Sequence, residues 1–179
     1  ALAAKTEVPI SVDTYKSAVA AEALKAGATI VNDISGFRMD PALPGVIARA
    51  GAAAVVMHMR GTPQTMQQDT HYDDLIGEVR EALRASVATG MAAGIDRILV
   101  DPGIGFGKDA RGNLQLLAGL REFATLGCPV LVGPSRKAFI GAVLGTPVED
   151  RLEGTIAACI LAAAAGARSW CCRLCRAGR

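Results

Sequence analysis

Aromatic residues, histidines and an excess of charge of either sign are what this chain has least of. Of its 179 residues, 4% are aromatic and two are histidine, and 19 basic residues face 17 acidic ones. The resulting net charge of +2 produces no field that would attract nucleic acid or an anionic membrane, so we expect neither as a partner. The two histidines lack ligand spacing, so we expect no metal site from this chain.

The chain also lacks an apolar run long enough to cross a bilayer. The longest, from Ile156 to Ala167, is well short of the roughly 20 residues that a spanning helix needs, so we interpret it as a core helix. The first residues, Ala1 to Lys5, do not resemble a signal peptide. These features predict a cytoplasmic protein.

The cysteines are five, an odd number that does not suit a disulfide framework. Cys128 and Cys159 stand alone in apolar surroundings, where buried free thiols are common. Cys171, Cys172 and Cys175 lie close together, but a thiolate metal site needs about four ligands. We interpret the protein as reduced, with an unusual C-terminal segment.

Short apolar runs are abundant, and 51% of the residues are hydrophobic. We predict strands that begin near Pro9, Thr29, Ala54, Ile98 and Pro129, because a buried parallel strand reads as a continuous apolar run. Helical segments follow them, at about 15–26, 41–50, 75–93, 113–126 and 148–165. Regular alternation of this kind predicts an α/β fold with a parallel sheet, either doubly wound or a partial (β/α)₈ TIM barrel.

Polar side chains follow several of these strands, where ligands of parallel α/β folds bind. Asp13, Asn32 and Asp101 combine two acceptors with one amide, a set that can recognise the donors and acceptors of an amino-pyrimidinone ring. The alternative is that Asp13 and Asp33 cap the segments after them.

The segment Asp101–Lys108 contains three glycines, but it matches neither the dinucleotide fingerprint nor the Walker phosphate loop. We interpret it as a flexible loop whose Phe106 could cover a flat ligand; the alternative is a plain turn between strand and helix. Farther along, Arg136 and Lys137 follow Ser135 at the end of a strand. This arrangement favours an anion site over a solvated charge pair.

Together the motifs resemble the dihydropteroate synthases of the pterin-binding family, from near Ala1 to about Ala167. Six segments carry the resemblance: 11–14 (SVDT), 32–36 (NDISG), 57–63 (MHMRGTP), 101–108 (DPGIGFGK), 133–141 (GPSRKAFIG) and 151–155 (RLEGT).

The resemblance implies a (β/α)₈ barrel and an Mg²⁺-dependent enzyme of folate biosynthesis that sulfonamides inhibit. Its reaction joins 6-hydroxymethyl-7,8-dihydropterin pyrophosphate to p-aminobenzoate, giving 7,8-dihydropteroate and pyrophosphate. The implied catalytic residues are Lys137, Asp101 and Arg136. The implied substrate-binding residues are Asp13, Asn32, Asp101 and Lys137 for the pterin ring, Met57, Phe106 and Gly133 for its pocket, and Ser135 and Arg136 for p-aminobenzoate. A homodimer is left open.

The sequence departs from the family's pattern at both ends. The family has two further βα units before the first strand, with an asparagine associated with Mg²⁺ and two mobile loops, and an Arg-x-His on its last strand. We expect residues 1–167 to be a pterin-binding barrel segment and 168–179 an atypical tail, although Trp170 to Cys175 is apolar enough for a strand. The alternatives are a non-catalytic pterin-binding fragment and a methyltetrahydrofolate-dependent methyltransferase. The segments 135–137 and 139–141 favour the synthase over the methyltransferase.

Overall fold

The computed structural model describes residues 2–171, which form an α/β fold of parallel strands. The strands are β1 (Ser11–Asp13), β2 (Ile30–Asp33), β3 (Ala53–Met57), β4 (Ile98–Asp101), β5 (Leu131–Val132) and β6 (Ser169–Trp170). The first four pair in chain order, and β5 pairs with β6. A parallel bridge between Val100 and Val130 joins the two sets. The result is part of a (β/α)₈ barrel, as predicted.

Helices alternate with these strands. They are α1 (Ser17–Lys25), α2 (Leu43–Arg49), α3 (Leu75–Ala92), α4 (Ala110–Ala118), α5 (Leu120–Ala124), α6 (Ala138–Leu144) and α7 (Leu152–Ala164). Short 3₁₀ segments cover Leu2–Lys5 and Val148–Asp150. Among residues 2–171, no helix is both long and apolar enough to cross a membrane.

The core lies between the strands and the helices that cover them. Every residue of β3 is buried, which explains why this strand reads as an uninterrupted apolar run. Val31, Val56 and Val100, on neighbouring strands, are inaccessible to solvent, as are Leu83 of α3 and Phe123 of α5. The core therefore fixes the strands from the helix side and leaves their carboxyl ends for polar groups.

Two helix predictions, 113–126 and 148–165, were wrong in detail. The segment 113–126 is two helices separated by Gly119, where a Cβ would lie 2.7 Å from Cδ1 of Ile76. Helix α4 begins earlier than predicted because the Asp109 carboxylate accepts a hydrogen bond from the Gly112 amide at 2.6 Å. The last helix begins at Leu152, after a 3₁₀ turn, rather than at Val148.

Two elements were not predicted. Helix α6 has seven residues and no side-chain cap, so its segment carries too few helix signals. Strand β6 has two residues, both within the segment predicted as an atypical tail. Residues 172–179 of that segment lie outside the described residues.

Candidate active site

A cavity of about 250 Å³ opens at the carboxyl ends of the strands. It brings together all the predicted site residues except Arg136, which lies next to it in the chain between Ser135 and Lys137. The lining residues are Asp13, Asn32, Ile34, Met57, Asp101, Ile104, Phe106, Leu131, Gly133, Ser135, Lys137 and Cys171. Polar groups from the ends of three strands and from the turn after β5 therefore line one open cavity with apolar walls, which is the usual character of a small-molecule site.

Asp13 and Asn32 form one wall of this cavity. The side-chain amide of Asn32 donates a hydrogen bond to the Asp13 carboxylate at 2.8 Å. The other atom of the Asn32 amide, Oδ1, is buried and has no hydrogen-bond partner among the described residues. A buried acceptor without a partner costs free energy, which a ligand donor would recover.

The alternative role of these aspartates as caps applies to Asp33 alone. Its carboxylate accepts hydrogen bonds from the amides of Ser35 at 2.7 Å and Phe37 at 2.6 Å. It is inaccessible to solvent and orders the turn after β2, in which Phe37 has a left-handed φ of 66°. The Asp13 carboxylate lines the cavity instead.

Asp101 ends β4 and is buried, with a relative exposure of 7%. Its carboxylate accepts a hydrogen bond from the Gly103 amide at 2.7 Å. Burial raises the pKa of Asp101 to about 6, against the lowering effects of the Gly103 amide and the charges of Lys137 and Lys108. The carboxylate is therefore ionised for the most part at neutral pH, but it is poorly solvated, which strengthens any hydrogen bond that it accepts from a ligand.

Lys137 and Phe106 also line the cavity, and they contact each other. The Lys137 ammonium lies over the Phe106 ring, 4.0 Å from its centroid, in a cation–π contact. Burial lowers the pKa of Lys137, and the charge of Asp101 partly offsets this effect. The contact places a cation directly over a flat apolar ring in the lining of the cavity.

Arg136 does not line the cavity, and its main chain is hydrogen-bonded to two residues near the start of α7. Its φ is 52°, a left-handed conformation that is uncommon for a residue with a Cβ. The Arg136 amide donates to Oγ1 of Thr155 at 3.0 Å, and its carbonyl accepts from the Arg151 guanidinium at 3.1 Å. Two residues at the start of α7 therefore fix the turn that carries Ser135, Arg136 and Lys137.

Sequence reasoning gave no role to Lys108 and Asn113, which organise the glycine-rich loop. Lys108 is 3% exposed, and its ammonium lies within 3.1 Å of three main-chain carbonyls. Asn113 accepts from the Gly105 amide at 2.5 Å and donates to the Lys108 carbonyl at 3.1 Å. The available signal was a lysine and an asparagine that closely follow three glycines, which alone does not indicate these partners.

A second loop, residues 60–74, packs over the glycine-rich loop. Arg60 stacks on the Tyr72 ring at 3.7 Å and forms an ion pair with Glu78 at 2.5 Å. The Tyr72 hydroxyl donates to the Gly107 carbonyl at 3.1 Å. The loop therefore supports the Phe106 side of the cavity from outside.

The cysteines do not form a metal centre within residues 2–171, where no cluster of three or more potential ligands comes together. Cys128 is a buried free thiol and Cys159 is half-buried. Cys171 lines the cavity. Cys172 and Cys175 lie outside the described residues.

The sequence matches the model of the pterin binding enzymes over residues 1–171. It is 48% identical over 170 residues to the dihydropteroate synthase of Synechocystis sp. and 43% identical over 169 residues to that of Escherichia coli. Each match includes 93% of this chain, but 59% and 60% of the relative. The chain thus spans about three fifths of the length of these relatives.

Solved structures give the same result. The dihydropteroate synthase of Stenotrophomonas maltophilia with active site-bound imidazole matches with a TM-score of 0.91 and 40% identity, over 96% of this chain and 65% of that one. The Thermus thermophilus enzyme in complex with 6HMPPP matches with 0.89 and 44% identity, over 93% and 66%. The same enzyme in complex with 4-aminobenzoate gives 0.90. Because the family model matches residues 1–171 of this 179-residue chain, the chain belongs to the pterin binding enzymes.

Proposed function

We propose that this chain is part of a dihydropteroate synthase, an enzyme that condenses 6-hydroxymethyl-7,8-dihydropterin pyrophosphate with p-aminobenzoate. The observation that carries the proposal is the cavity in which Asn32, Asp101 and Lys137 meet the flat ring of Phe106. Relatives of the same name, and solved structures described with 6HMPPP and with 4-aminobenzoate, support it.

The polar groups of the cavity suit the edge of a pterin ring. The Asp101 carboxylate accepts from ring N–H groups, and Oδ1 of Asn32 supplies a further acceptor beside it. Asp13 keeps the Asn32 amide in this orientation. The Lys137 ammonium donates to the ring carbonyl, while Met57 and Phe106 provide the apolar walls.

The reaction needs a fixed methylene carbon and a cationic environment for the leaving group. The amine nitrogen of p-aminobenzoate attacks the methylene carbon of the bound pterin, the carbon–oxygen bond breaks, and pyrophosphate departs with the electron pair. The amine then loses a proton. We assign Ser135 and Arg136 to p-aminobenzoate and to the departing charge, which a cation stabilises. Asp101, Lys137 and Arg136 are therefore the proposed catalytic residues.

Mg²⁺, which the family resemblance implies, finds no set of ligands here. The Asp13 and Asp101 carboxylates both line the cavity, but each accepts a hydrogen bond, from Asn32 and Gly103 respectively, and Asp101 also experiences two lysine charges. With no cluster of three or more potential ligands in residues 2–171, the described residues offer no set of oxygen ligands that fits a protein-bound Mg²⁺. No step is therefore assigned to the ion. A cytoplasmic location and a homodimer stay predictions.

Calorimetry with 6-hydroxymethylpterin tests the proposed site. We expect Asp101→Asn to weaken binding by about 1.5–3 kcal/mol, because a hydrogen bond to a charged group is lost. Asp96→Asn, the same substitution at an exposed position, serves as the control. Unchanged affinity in Asp101→Asn would show that the pterin is not bound here.

Formation of 7,8-dihydropteroate from both substrates separates the remaining alternatives. Turnover supports the synthase, binding without turnover supports a pterin-binding fragment, and transfer of a methyl group from methyltetrahydrofolate would indicate the methyltransferase.

A further inference from the structure

The ammonium of Lys108 connects the ends of two neighbouring strands. It lies 3.1 Å from the carbonyl oxygen of His58, just after β3, and 3.0 Å from those of Pro102 and Gly103, just after β4. Nδ1 of His58 is 2.9 Å away. Since carbonyl oxygens can only accept, the ammonium donates to both segments and holds them together.

His58 takes part as a neutral ring. Burial lowers its pKa to about 3, and the charges of Lys108, Arg38 and Arg60 act in the same direction. In the neutral ring Nδ1 is available as a further acceptor, so the N–H groups of Lys108 are shared among four acceptors, this nitrogen and the three main-chain carbonyls. This pairing explains how a histidine and a lysine can lie in contact beside a substrate cavity.

The hydrogen bonds of Lys108 also reach the Pro102–Gly103 peptide, whose amide binds the Asp101 carboxylate. Gly103 has a φ of 74°, and a Cβ there would collide with the carbonyl oxygen of His58. The chain therefore passes very close to the end of β3 at this glycine. The amide of the same residue donates to the Asp101 carboxylate at 2.7 Å, and Lys108 donates to the Pro102 carbonyl, so the two side chains bind opposite ends of the Pro102–Gly103 peptide group.

The main chain of Lys108 also contributes to holding the glycine-rich loop, through Asn113. Asn113 donates to the Lys108 main-chain carbonyl at 3.1 Å and accepts from the Gly105 amide at 2.5 Å. Gly105 precedes Phe106, whose ring lies under the Lys137 ammonium. Movement of Lys108 would therefore change the place of Phe106 as well as that of Asp101.

We propose that Lys108 is a positioning residue that, through His58, Pro102 and Gly103, sets the place of Asp101 and Phe106 in the cavity. We call these contacts the Lys108 clamp. The inference rests on the proposed pterin site for its effect on binding, although the clamp itself can be tested without a ligand.

Hydrogen exchange of the full 179-residue chain provides that test. In Lys108→Met, which keeps the length of the side chain and removes its donors, we expect the amides of Gly103 and Gly105 to exchange on the order of tenfold faster relative to core amides of β3. Leu83→Ala, which destabilises the core globally, accelerates the core amides and does not raise this ratio. Lys25→Met, at an exposed lysine, leaves both unchanged.

A milder variant covers the case in which Lys108→Met does not fold. His58→Phe removes the Nδ1 acceptor but keeps the main-chain carbonyl, and we expect a smaller rise in the same ratio. An unchanged ratio in the folded variants would overturn the proposal, because the loop would then be held without the clamp.

Calorimetry with 6-hydroxymethylpterin then connects the clamp to the site. Lys108→Met should weaken binding by about tenfold, the cost of misplacing one charged hydrogen-bond partner, whereas Leu83→Ala should bind normally below its unfolding temperature. Normal binding by Lys108→Met would overturn the positioning role. Failure of the unsubstituted chain to bind would count against the proposed function, while the exchange ratio would still decide whether the clamp exists.

Discussion

The side-chain amide of Asn32 donates to the carboxylate of Asp13 at 2.8 Å, and this contact determines which way the amide faces. A carboxylate can only accept, so the amide NH₂ must point toward Asp13 and its oxygen toward the interior. That oxygen is buried without a partner among the described residues. The pair thus presents an acceptor to a ligand, although each residue alone could be read from the sequence as an ordinary polar group at the end of a strand.

Asp13→Asn should weaken 6-hydroxymethylpterin binding by about 1 kcal/mol, because the neutral partner no longer forces one orientation on the Asn32 amide. The free energy of unfolding should change little, since Asp13 is exposed. Isothermal calorimetry and urea unfolding measure the two effects, with the exposed Asp96→Asn as control. Equal affinity in Asp13→Asn and the unsubstituted chain would contradict the orienting role.

The sequence predicted the strands well because local pattern and burial agree in them. All of Ala53–Met57 is buried, so its apolar run reports its environment directly. Because ligands of parallel α/β folds bind at the carboxyl ends of the strands, Asp13, Asn32 and Asp101 were predicted to converge, and all three line one cavity.

The elements that were missed depend on contacts between distant segments. Gly119 separates α4 from α5 where Ile76 of α3 packs against it, and no local signal reports that contact. Lys108 donates to the main-chain carbonyl of His58, 50 positions earlier in the chain. Every residue has such a carbonyl, so the residue type at position 58 does not reveal the contact. A sequence pattern can place a residue on a loop, but it cannot state which backbone atoms the loop will meet.

Asp101 should make the stability of the chain depend on pH in an unusual direction. Burial raises its pKa from 3.8 to about 6, so between these values the folded state holds a proton that the unfolded state has released. Its contribution to stability is therefore complete below the unfolded pKa and is lost as pH rises through the folded pKa. Asp101→Asn removes this titration.

As pH rises from about 4 to about 8, the unsubstituted chain should therefore lose on the order of 2 kcal/mol of unfolding free energy relative to Asp101→Asn. Urea unfolding across this range measures it, and subtraction of the two curves cancels the other titrating groups. A difference that stays constant with pH would mean that the Asp101 carboxyl is not perturbed as described.

Lys137 and Arg136 should separate by substrate. Lys137→Ala is expected to raise KM for the pterin pyrophosphate by about tenfold or more. The substitution removes a charged hydrogen-bond donor that lies beside Phe106 in the cavity. Arg136→Ala should act chiefly on KM for p-aminobenzoate and on kcat. Steady-state kinetics with each substrate varied in turn measure this, with Lys25→Ala as control; a rise in KM for p-aminobenzoate alone in both variants would contradict the role of Lys137.

Thr155→Val should disturb the turn that carries Arg136, and the chain offers a matched control for it. The hydroxyls of both Thr155 and Thr89 donate to the carbonyl four residues earlier, at 2.7 Å and 3.0 Å. Thr155 also accepts the Arg136 amide, and it is inaccessible to solvent. Valine keeps the shape of the side chain but leaves that amide without its acceptor, next to a residue in a left-handed conformation.

We therefore expect Thr155→Val to lower the free energy of unfolding by about 1–3 kcal/mol, the cost of a partly buried donor that loses its partner, while Thr89→Val stays within about 0.5 kcal/mol of the unsubstituted chain. Urea unfolding compares them. Because the Arg136 turn also positions Ser135, KM for p-aminobenzoate should rise in Thr155→Val and stay unchanged in Thr89→Val. Equal losses of stability in the two variants, with KM unaffected in both, would show that α7 does not hold the turn and that the left-handed backbone at Arg136 is maintained by other contacts.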